Sequence, residues 1–80
     1  MLEYKINVIE ELSKIGLDFT WAKRNGVFGQ ATMMKFKNKN TSISIDSMNK
    51  LCCVLGLQPG EIFEYIETQE DREILEKIYN

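Results

Sequence analysis

Three side chains between residues 30 and 35 carry groups that could recognise the edge of a nucleic-acid base. Gln30 offers a carboxamide that donates and accepts at once, and it is followed by Thr32 and Lys35, which lie three positions apart. A Gln can bind adenine N6 and N7 together, a Thr can contact a thymine methyl, and a Lys can bind guanine or a phosphate. On most exposed helices such side chains contact only water. Whether they contact a base here depends on the fold of the segments around them.

Residues 21–38 predict two short helices joined at Gly26. Ala22 is small enough for a second helix to cross closely over it, and Gly26 can take the left-handed conformation that ends a helix. Met33 and Phe36 lie three positions apart and would bury one face of the second helix. The polar side chains would then point outward, so the segment predicts a helix-turn-helix.

Basic residues are concentrated in the middle of the chain, although the formal net charge is −2. Residues 22–50 contain a single acid, Asp46, against six bases, which are Lys23, Arg24, Lys35, Lys37, Lys39 and Lys50. Acids are in excess both before and after this segment. A basic middle between acidic ends indicates one anionic partner on one face of the molecule.

Catalytic and metal-binding chemistry finds little support in the composition. The chain has no His, and its Ser and Thr residues lack a recognisable catalytic partner. Cys52 and Cys53 are adjacent in a predicted helix and would point about 100° apart, which rules out an ordinary disulfide or a complete metal site. We therefore expect no enzyme activity, cofactor, metal or small-molecule ligand.

The 80 residues are expected to form one soluble domain. The longest continuous apolar run, residues 51–55, is far too short to span a bilayer, and no signal-peptide pattern begins the chain. These features predict a cytoplasmic location and no contact with a membrane.

Capping residues divide the central part of the chain into helices. Asp18 is a predicted N-cap for a short helix that runs towards Asn25. Ser44 is the predicted N-cap of a longer helix that Gly56 ends, and Pro59 begins another short one.

Both ends of the chain are also predicted to be helical. Apolar residues at helical spacing predict helix 1 from about Tyr4 to Ile15, ending at Gly16. Thr68 and Asp71 approximate a capping box for a helix from about Gln69 to Tyr79. Alternating strand patterns are too short to count, so no strand is expected.

Residues 4–66 resemble the phage repressor and Cro family of helix-turn-helix DNA-binding domains. The resemblance rests on residues 21–27 (WAKRNGV), 30–38 (QATMMKFKN), 43–52 (ISIDSMNKLC) and 55–65 (LGLQPGEIFEY). Trp21 stands where the family has a smaller aliphatic residue, and we expect it to be buried between the first three helices. One residue fewer before Trp21 and one more at residues 28–29 alter the spacing of the motif.

This resemblance implies an all-α fold, a five-helix lambda-repressor-like helix-turn-helix domain at residues 1–67. An additional C-terminal helix at residues 68–80 would extend the same domain. The implied function is that of a sequence-specific transcription regulator, a repressor of bacterial or prophage genes, that binds a double-stranded DNA operator. The helix around residues 29–38 would read the major groove.

Candidate contacts follow from this arrangement. The base-reading candidates are Phe28, Gln30, Ala31, Thr32 and Lys35. The phosphate-contact candidates are Lys23, Lys37, Asn38, Lys39 and Asn40. Phe28 has two interpretations, since it either fills a gap beside Trp21 or projects towards a thymine methyl.

The C-terminal helix and the negative net charge leave two questions open. The candidates for a homodimer interface are Ile74, Leu75, Ile78 and Tyr79. These side chains form a stripe that is too apolar to remain exposed to water. The stripe is expected to pack either onto the chain's own helices 1 and 5 or onto a second copy of the chain. The alternative function is a protein-interaction module, an antitoxin-like or anti-repressor partner that keeps the fold without DNA binding.

Overall fold

A computed structural model describes residues 1–79, in which six helices and two short strands follow one another along the chain. The strands are β1 (Leu2–Tyr4) and β2 (Phe63–Tyr65), and the helices are α1 (Val8–Lys14), α2 (Phe19–Asn25), α3 (Gln30–Lys37), α4 (Ile45–Leu55), α5 (Pro59–Ile62) and α6 (Gln69–Tyr79). The fold is therefore mostly helical. None of these helices is long and apolar enough to cross a bilayer.

The central helices begin and end at the predicted capping residues. The Trp21 backbone N–H donates to Asp18 Oδ1 at 2.8 Å at the start of α2, and the Ser47 N–H donates to Ser44 Oγ at 3.0 Å at the start of α4. Gly26 and Gly56 end these helices in the left-handed conformation, each with φ of +66°. Such caps satisfy backbone groups that a helix end leaves unpaired.

The two strands correct the prediction of an all-α fold. β1 pairs antiparallel with β2, with Leu2 opposite Tyr65 and Tyr4 opposite Phe63. Because β1 occupies the first residues, α1 begins at Val8 rather than near Tyr4. Each strand has three residues, too few to show an alternating pattern, and the pairing joins segments far apart in sequence.

The core lies between the first five helices and the sheet. Its buried side chains are Val8, Leu12, Leu17, Ala22, Phe28, Met33, Phe36, Leu51, Ile62 and Phe63. Trp21 is not among them, since 41% of its surface is exposed, and the prediction that it is buried is wrong. In α2, which begins after the N-cap Asp18, Ala22 faces the core. Trp21 precedes Ala22 by one residue and therefore points about 100° away from it.

The C-terminal helix, α6, contributes nothing to this core. None of its residues is buried, so the predicted alternative in which it packs onto helices 1 and 5 is wrong. The N-terminal ammonium of Met1 pairs with Asp71 at its start and holds the pKa of that carboxyl well below its usual range. The molecule is accordingly elongated, with extents of 51 × 21 × 18 Å.

Candidate nucleic-acid interface

Helices α2 and α3 form the predicted helix-turn-helix around a small buried contact. Ala22 of α2 is fully buried, which allows the buried side of α3, carrying Met33 and Phe36, to approach it closely. Gly26 reverses the chain with its left-handed backbone, and α3 begins four residues later at Gln30. The local sequence thus fixes which side of α3 is buried and which side is free.

The outward side of α3 is defined by the exposed residues opposite Met33 and Phe36. Ala31, Met34 and Asn38 lie near its centre and are exposed. Met34 was not among the predicted base contacts, although its spacing of three from Ala31 and four from Asn38 already indicated this side. Its thioether is a flexible apolar group at the centre of the free surface.

Gln30 lies at the beginning of α3, where it also ties the two helices together. Its Nε2 donates to the backbone carbonyl of Phe19 in α2 at 3.3 Å, and the side chain is exposed. A carboxamide has a second donor and an acceptor oxygen, so this bond leaves groups available to another partner. The bond to Phe19 therefore restrains the Gln30 side chain and leaves its carboxamide able to form further hydrogen bonds.

Lys35 and Thr32 are less exposed than the residues at the centre of the outward side. Both are half-buried, and Lys35 Nζ donates to the carbonyl of Ser42 at 2.7 Å. The lysine thus points towards the loop that follows α3. To contact a base or a phosphate, its ammonium has to exchange this carbonyl for the new acceptor.

Phe28 is part of the core, which corrects its assignment as a base-reading candidate. Only 2% of its surface is exposed, and its ring packs edge-on against Phe36 with centroids 5.2 Å apart. An aromatic pair of this geometry stabilises the fold beyond the burial of its area. A base edge cannot reach a ring in this position.

The loop after α3 begins with a strained backbone at Lys39. This residue has φ of +57°, whereas the other left-handed positions in the described residues are Gly16, Gly26 and Gly56. The Asn40 N–H donates to the Lys35 carbonyl at 2.8 Å, and the Lys39 N–H donates to the Phe36 carbonyl at 3.2 Å. These two bonds form a Schellman motif, in which glycine is the usual left-handed residue.

Further hydrogen bonds hold this loop on both sides of Asn40. The Asn40 side chain accepts from the Ser42 N–H at 2.8 Å, and its backbone carbonyl accepts from the Tyr4 hydroxyl at 2.8 Å. The Tyr4 ring packs on Phe63 with centroids 4.7 Å apart, and burial raises the pKa of Tyr4 to about 12. Through Tyr4, β1 therefore connects the loop after α3 to the sheet. Local sequence patterns did not predict this contact.

The exposed bases around this region have no acidic partner among residues 1–79. Lys23 and Arg24 lie in the last turn of α2, and Lys37 ends α3 just before Lys39. Among residues 1–79 the ion pairs involve other bases, namely those of Lys14, Lys50, Arg72 and the N-terminus. The sequence from residue 19 to residue 45 contains no acid, so this part of the surface carries uncompensated positive charge.

Comparison with known proteins finds one family. The model of the Cro/C1-type HTH DNA-binding domain family matches residues 27–68, just over half of the chain. The match covers the segment from the end of the turn through α3, α4, α5 and β2. No curated protein and no solved structure matches the chain.

Proposed function

Since the chain belongs to the Cro/C1-type HTH DNA-binding domain family, we propose that it is a sequence-specific transcription regulator that binds a short duplex operator. The observation that carries the proposal is the combination of an exposed outward side on α3 with Lys37 and Lys39 at its end, which make no ion pair among residues 1–79. A major groove admits a helix of this kind, and phosphates on either side attract the bases.

In the proposed complex α3 lies in the major groove and its outward side reads the bases. Gln30 would contact adenine through the carboxamide groups that its bond to Phe19 leaves free. Ala31 and Thr32 would contact thymine methyl groups, and Met34 adds an apolar contact at the centre. Lys35 would reach guanine or a phosphate after releasing the Ser42 carbonyl.

Phosphate contacts would fix the position of the domain along the duplex. Lys23 on α2 and Lys37 at the end of α3 would neutralise phosphates, as would Lys39 in the fastened loop. Asn38 and Asn40 would add neutral hydrogen bonds to the backbone. Such contacts determine register and orientation but carry no sequence information.

The biological role that we propose is repression of bacterial or prophage genes in the cytoplasm. Support comes from the resemblance to phage repressors. A protein bound across a promoter blocks transcription simply by occupying the duplex, and that mechanism needs no second activity.

A mobility-shift experiment tests DNA binding directly. The full chain is mixed with random duplexes at low salt, bound sequences are selected, and affinity is then measured as salt increases. We expect binding with a steep salt dependence, because counterions are released from each neutralised phosphate. Absence of binding even at low salt would contradict the proposal.

The selected operator also allows the base contacts to be separated from the phosphate contacts. Gln30→Ala should weaken operator binding by about 1 to 3 kcal/mol and relax the preference at one base pair. Lys37→Ala should weaken operator and random duplexes alike. If fluorescence anisotropy finds that neither substitution matters, α3 is not the recognition helix.

A second candidate function is a protein-interaction module that has lost DNA binding. The exposed Trp21 and the net charge of −2 favour it, since an exposed Trp is typical of protein interfaces. The mobility-shift experiment with the wild-type chain distinguishes the two functions, because the regulator binds a duplex and the module binds none. In the regulator, Trp21→Ala should leave operator affinity unchanged.

A further inference from the structure

The side chains of α3 limit which base pairs the helix can read. The sequence of α3, Gln30–Lys37, contains neither an Arg nor an acidic residue. Arg and Lys bind guanine in the major groove, and acidic side chains accept a hydrogen bond from the amino group of cytosine. Only the two lysines of α3 therefore remain as candidates for the recognition of a G·C pair.

Neither lysine is placed to read guanine at the centre of the outward side. Lys35 is half-buried, and its Nζ donates to the Ser42 carbonyl at 2.7 Å. Lys37 precedes Asn38, which lies near the centre of the outward side, and points about 100° away from it. A contact from Lys35 to guanine would break the bond to Ser42. The arrangement in the structure thus leaves guanine without a donor from either lysine.

Gln30 retains one donor and one acceptor for a base. Its Nε2 carries two hydrogens, and one of them is donated to the Phe19 carbonyl at 3.3 Å. Adenine presents one acceptor, N7, and one donor, N6, in the major groove, whereas guanine presents two acceptors, N7 and O6. The groups that Gln30 has left complement adenine, and they can satisfy only one of the two acceptors of guanine.

Two exposed apolar side chains follow Gln30 on the outward side of α3. Ala31 and Met34 lie three positions apart and therefore share one side of the helix. The thymine methyl is the apolar group that a base pair presents in the major groove. Against a G·C pair, these side chains would cover polar atoms without giving them a partner, which is unfavourable. Both positions therefore favour A·T pairs.

The three side chains are close enough to read neighbouring base pairs. Met34 follows Gln30 by four positions, which corresponds to about 6 Å along the helix axis. Successive base pairs are about 3.4 Å apart. Gln30, Ala31 and Met34 can therefore contact about three base pairs in succession.

We propose that the centre of the bound DNA site consists of A·T pairs, about three in succession, recognised through one adenine and through thymine methyl groups. This inference rests on the proposed function, to which it adds a base composition and a chemical group. Lys37 and Lys39 make no ion pair among residues 1–79 and would hold the duplex by its phosphates, which carry no sequence information. The composition of the centre is accordingly determined by the uncharged side chains of α3.

Sequencing the duplexes that the full chain selects from a random pool is the first test. The selected sites should share a central run of A·T pairs, and Gln30→Ala should relax the preference at one position of this run. A shared centre that contains G·C pairs overturns the inference, while the proposed function stands because DNA is bound. A chain that binds no duplex even at low salt overturns both, so the two failures are distinguishable.

Replacing thymine with uracil in the selected site tests the methyl contacts. Uracil lacks the 5-methyl group but keeps the same hydrogen-bonding groups and pairs with adenine, so the apolar contact alone is lost. Affinity measured by fluorescence anisotropy should fall about fourfold for each contacted methyl group. The same number of uracils outside the centre should leave the affinity unchanged. Equal affinity for the site with uracil in its centre overturns the inference.

Combining uracil with Met34→Ala tests whether Met34 contacts one of these methyl groups. The variant should remove most of the uracil effect at one position, because the side chain that contacts the methyl group is already shortened. Leu75→Ala on α6 is the matched control, since Leu75 is 42% exposed and Met34 is 43% exposed, and it should keep the full uracil effect. A Met34→Ala variant that keeps the full effect at every position overturns the inference.

Discussion

Lys39 combines an unfavourable backbone with a side chain suited to a phosphate. A non-glycine residue in the left-handed region costs about 1 to 2 kcal/mol, and three other positions at helix ends avoid this cost with glycine. Such an outlier supports a functional role for the side chain that is retained. In this chain the retained group is an ammonium next to the end of the proposed recognition helix.

Lys39→Gly should therefore stabilise the domain while it weakens DNA binding. We expect the free energy of unfolding to rise by about 0.5 kcal/mol, since relief of the strain exceeds the added entropy of the unfolded chain. Lys39→Gln is the matched control, because it removes the charge and keeps the strain. Chemical denaturation and anisotropy would contradict this account if the Gly variant were less stable or bound DNA as well as the wild type.

Trp21→Ala should cost far less than the truncation of a buried aromatic residue. Full burial would make the loss about 3 to 5 kcal/mol, but the observed exposure reduces our expectation to about 1 kcal/mol, partly offset by the better helix propensity of Ala. Thermal denaturation measures the difference. A loss above about 3 kcal/mol would mean that Trp21 is buried in solution, with Phe36→Ala serving as the reference for a core aromatic residue.

At the level of single elements, the sequence predicted best the features that depend on neighbouring residues, namely the helix ends and the buried side of α3. Asp18, Ser44 and Gly56 mark helix ends through bonds to residues within a few positions, and the spacing of Met33 and Phe36 identified the buried side of α3. The sheet could not be predicted in this way, because its two strands are short and distant. The bond from Lys35 to Ser42 and the burial of Phe28 depend on the packed fold and not on helical spacing.

Strand β1 contacts the loop after α3 through one hydroxyl group, that of Tyr4. Tyr4→Phe removes the bond to the Asn40 carbonyl but keeps the ring on Phe63, so the domain should lose only about 0.5 to 1.5 kcal/mol of stability. The loop that carries Lys39 would then be less fixed, and operator affinity should fall several-fold. Tyr65→Phe, in the paired strand, is the control, and equal effects of the two substitutions on DNA binding would contradict a specific role of Tyr4.

The Tyr4 hydroxyl also makes the stability of the folded chain depend on pH in the alkaline range. Burial raises the pKa of Tyr4 to about 12 in the folded chain. A raised pKa means that this contribution to stability is complete below about pH 10, the ordinary value, and is lost as the pH rises through about 12. The ultraviolet titration curves of the wild type and of Tyr4→Phe should differ by one tyrosine that ionises near pH 12. If the missing tyrosine instead ionises near pH 10, the Tyr4 hydroxyl is solvated.

At the scale of the whole molecule, net charge is a poor guide to the proposed partner. The chain carries −2 overall, yet five of the seven bases that make no ion pair among residues 1–79 lie together on and beside α2 and α3. Salt screens charges beyond about 8 to 10 Å, so a phosphate responds mainly to the bases within that distance and much less to remote acids. Local charge should therefore govern DNA binding.

Salt dependence makes this argument quantitative. If Lys23, Lys37 and Lys39 each neutralise one phosphate, the slope of log K against log salt for one protomer should be about −3, close to −0.9 for each contact. Replacing Lys37 with Gln should reduce the magnitude of the slope by about 1. Lys14→Gln makes the same change in net charge on α1, where Lys14 Nζ lies 2.9 Å from Glu11 Oε1, and should leave the slope unchanged. Equal changes of slope in the two variants would mean that the total charge, and not the bases beside α3, determines binding.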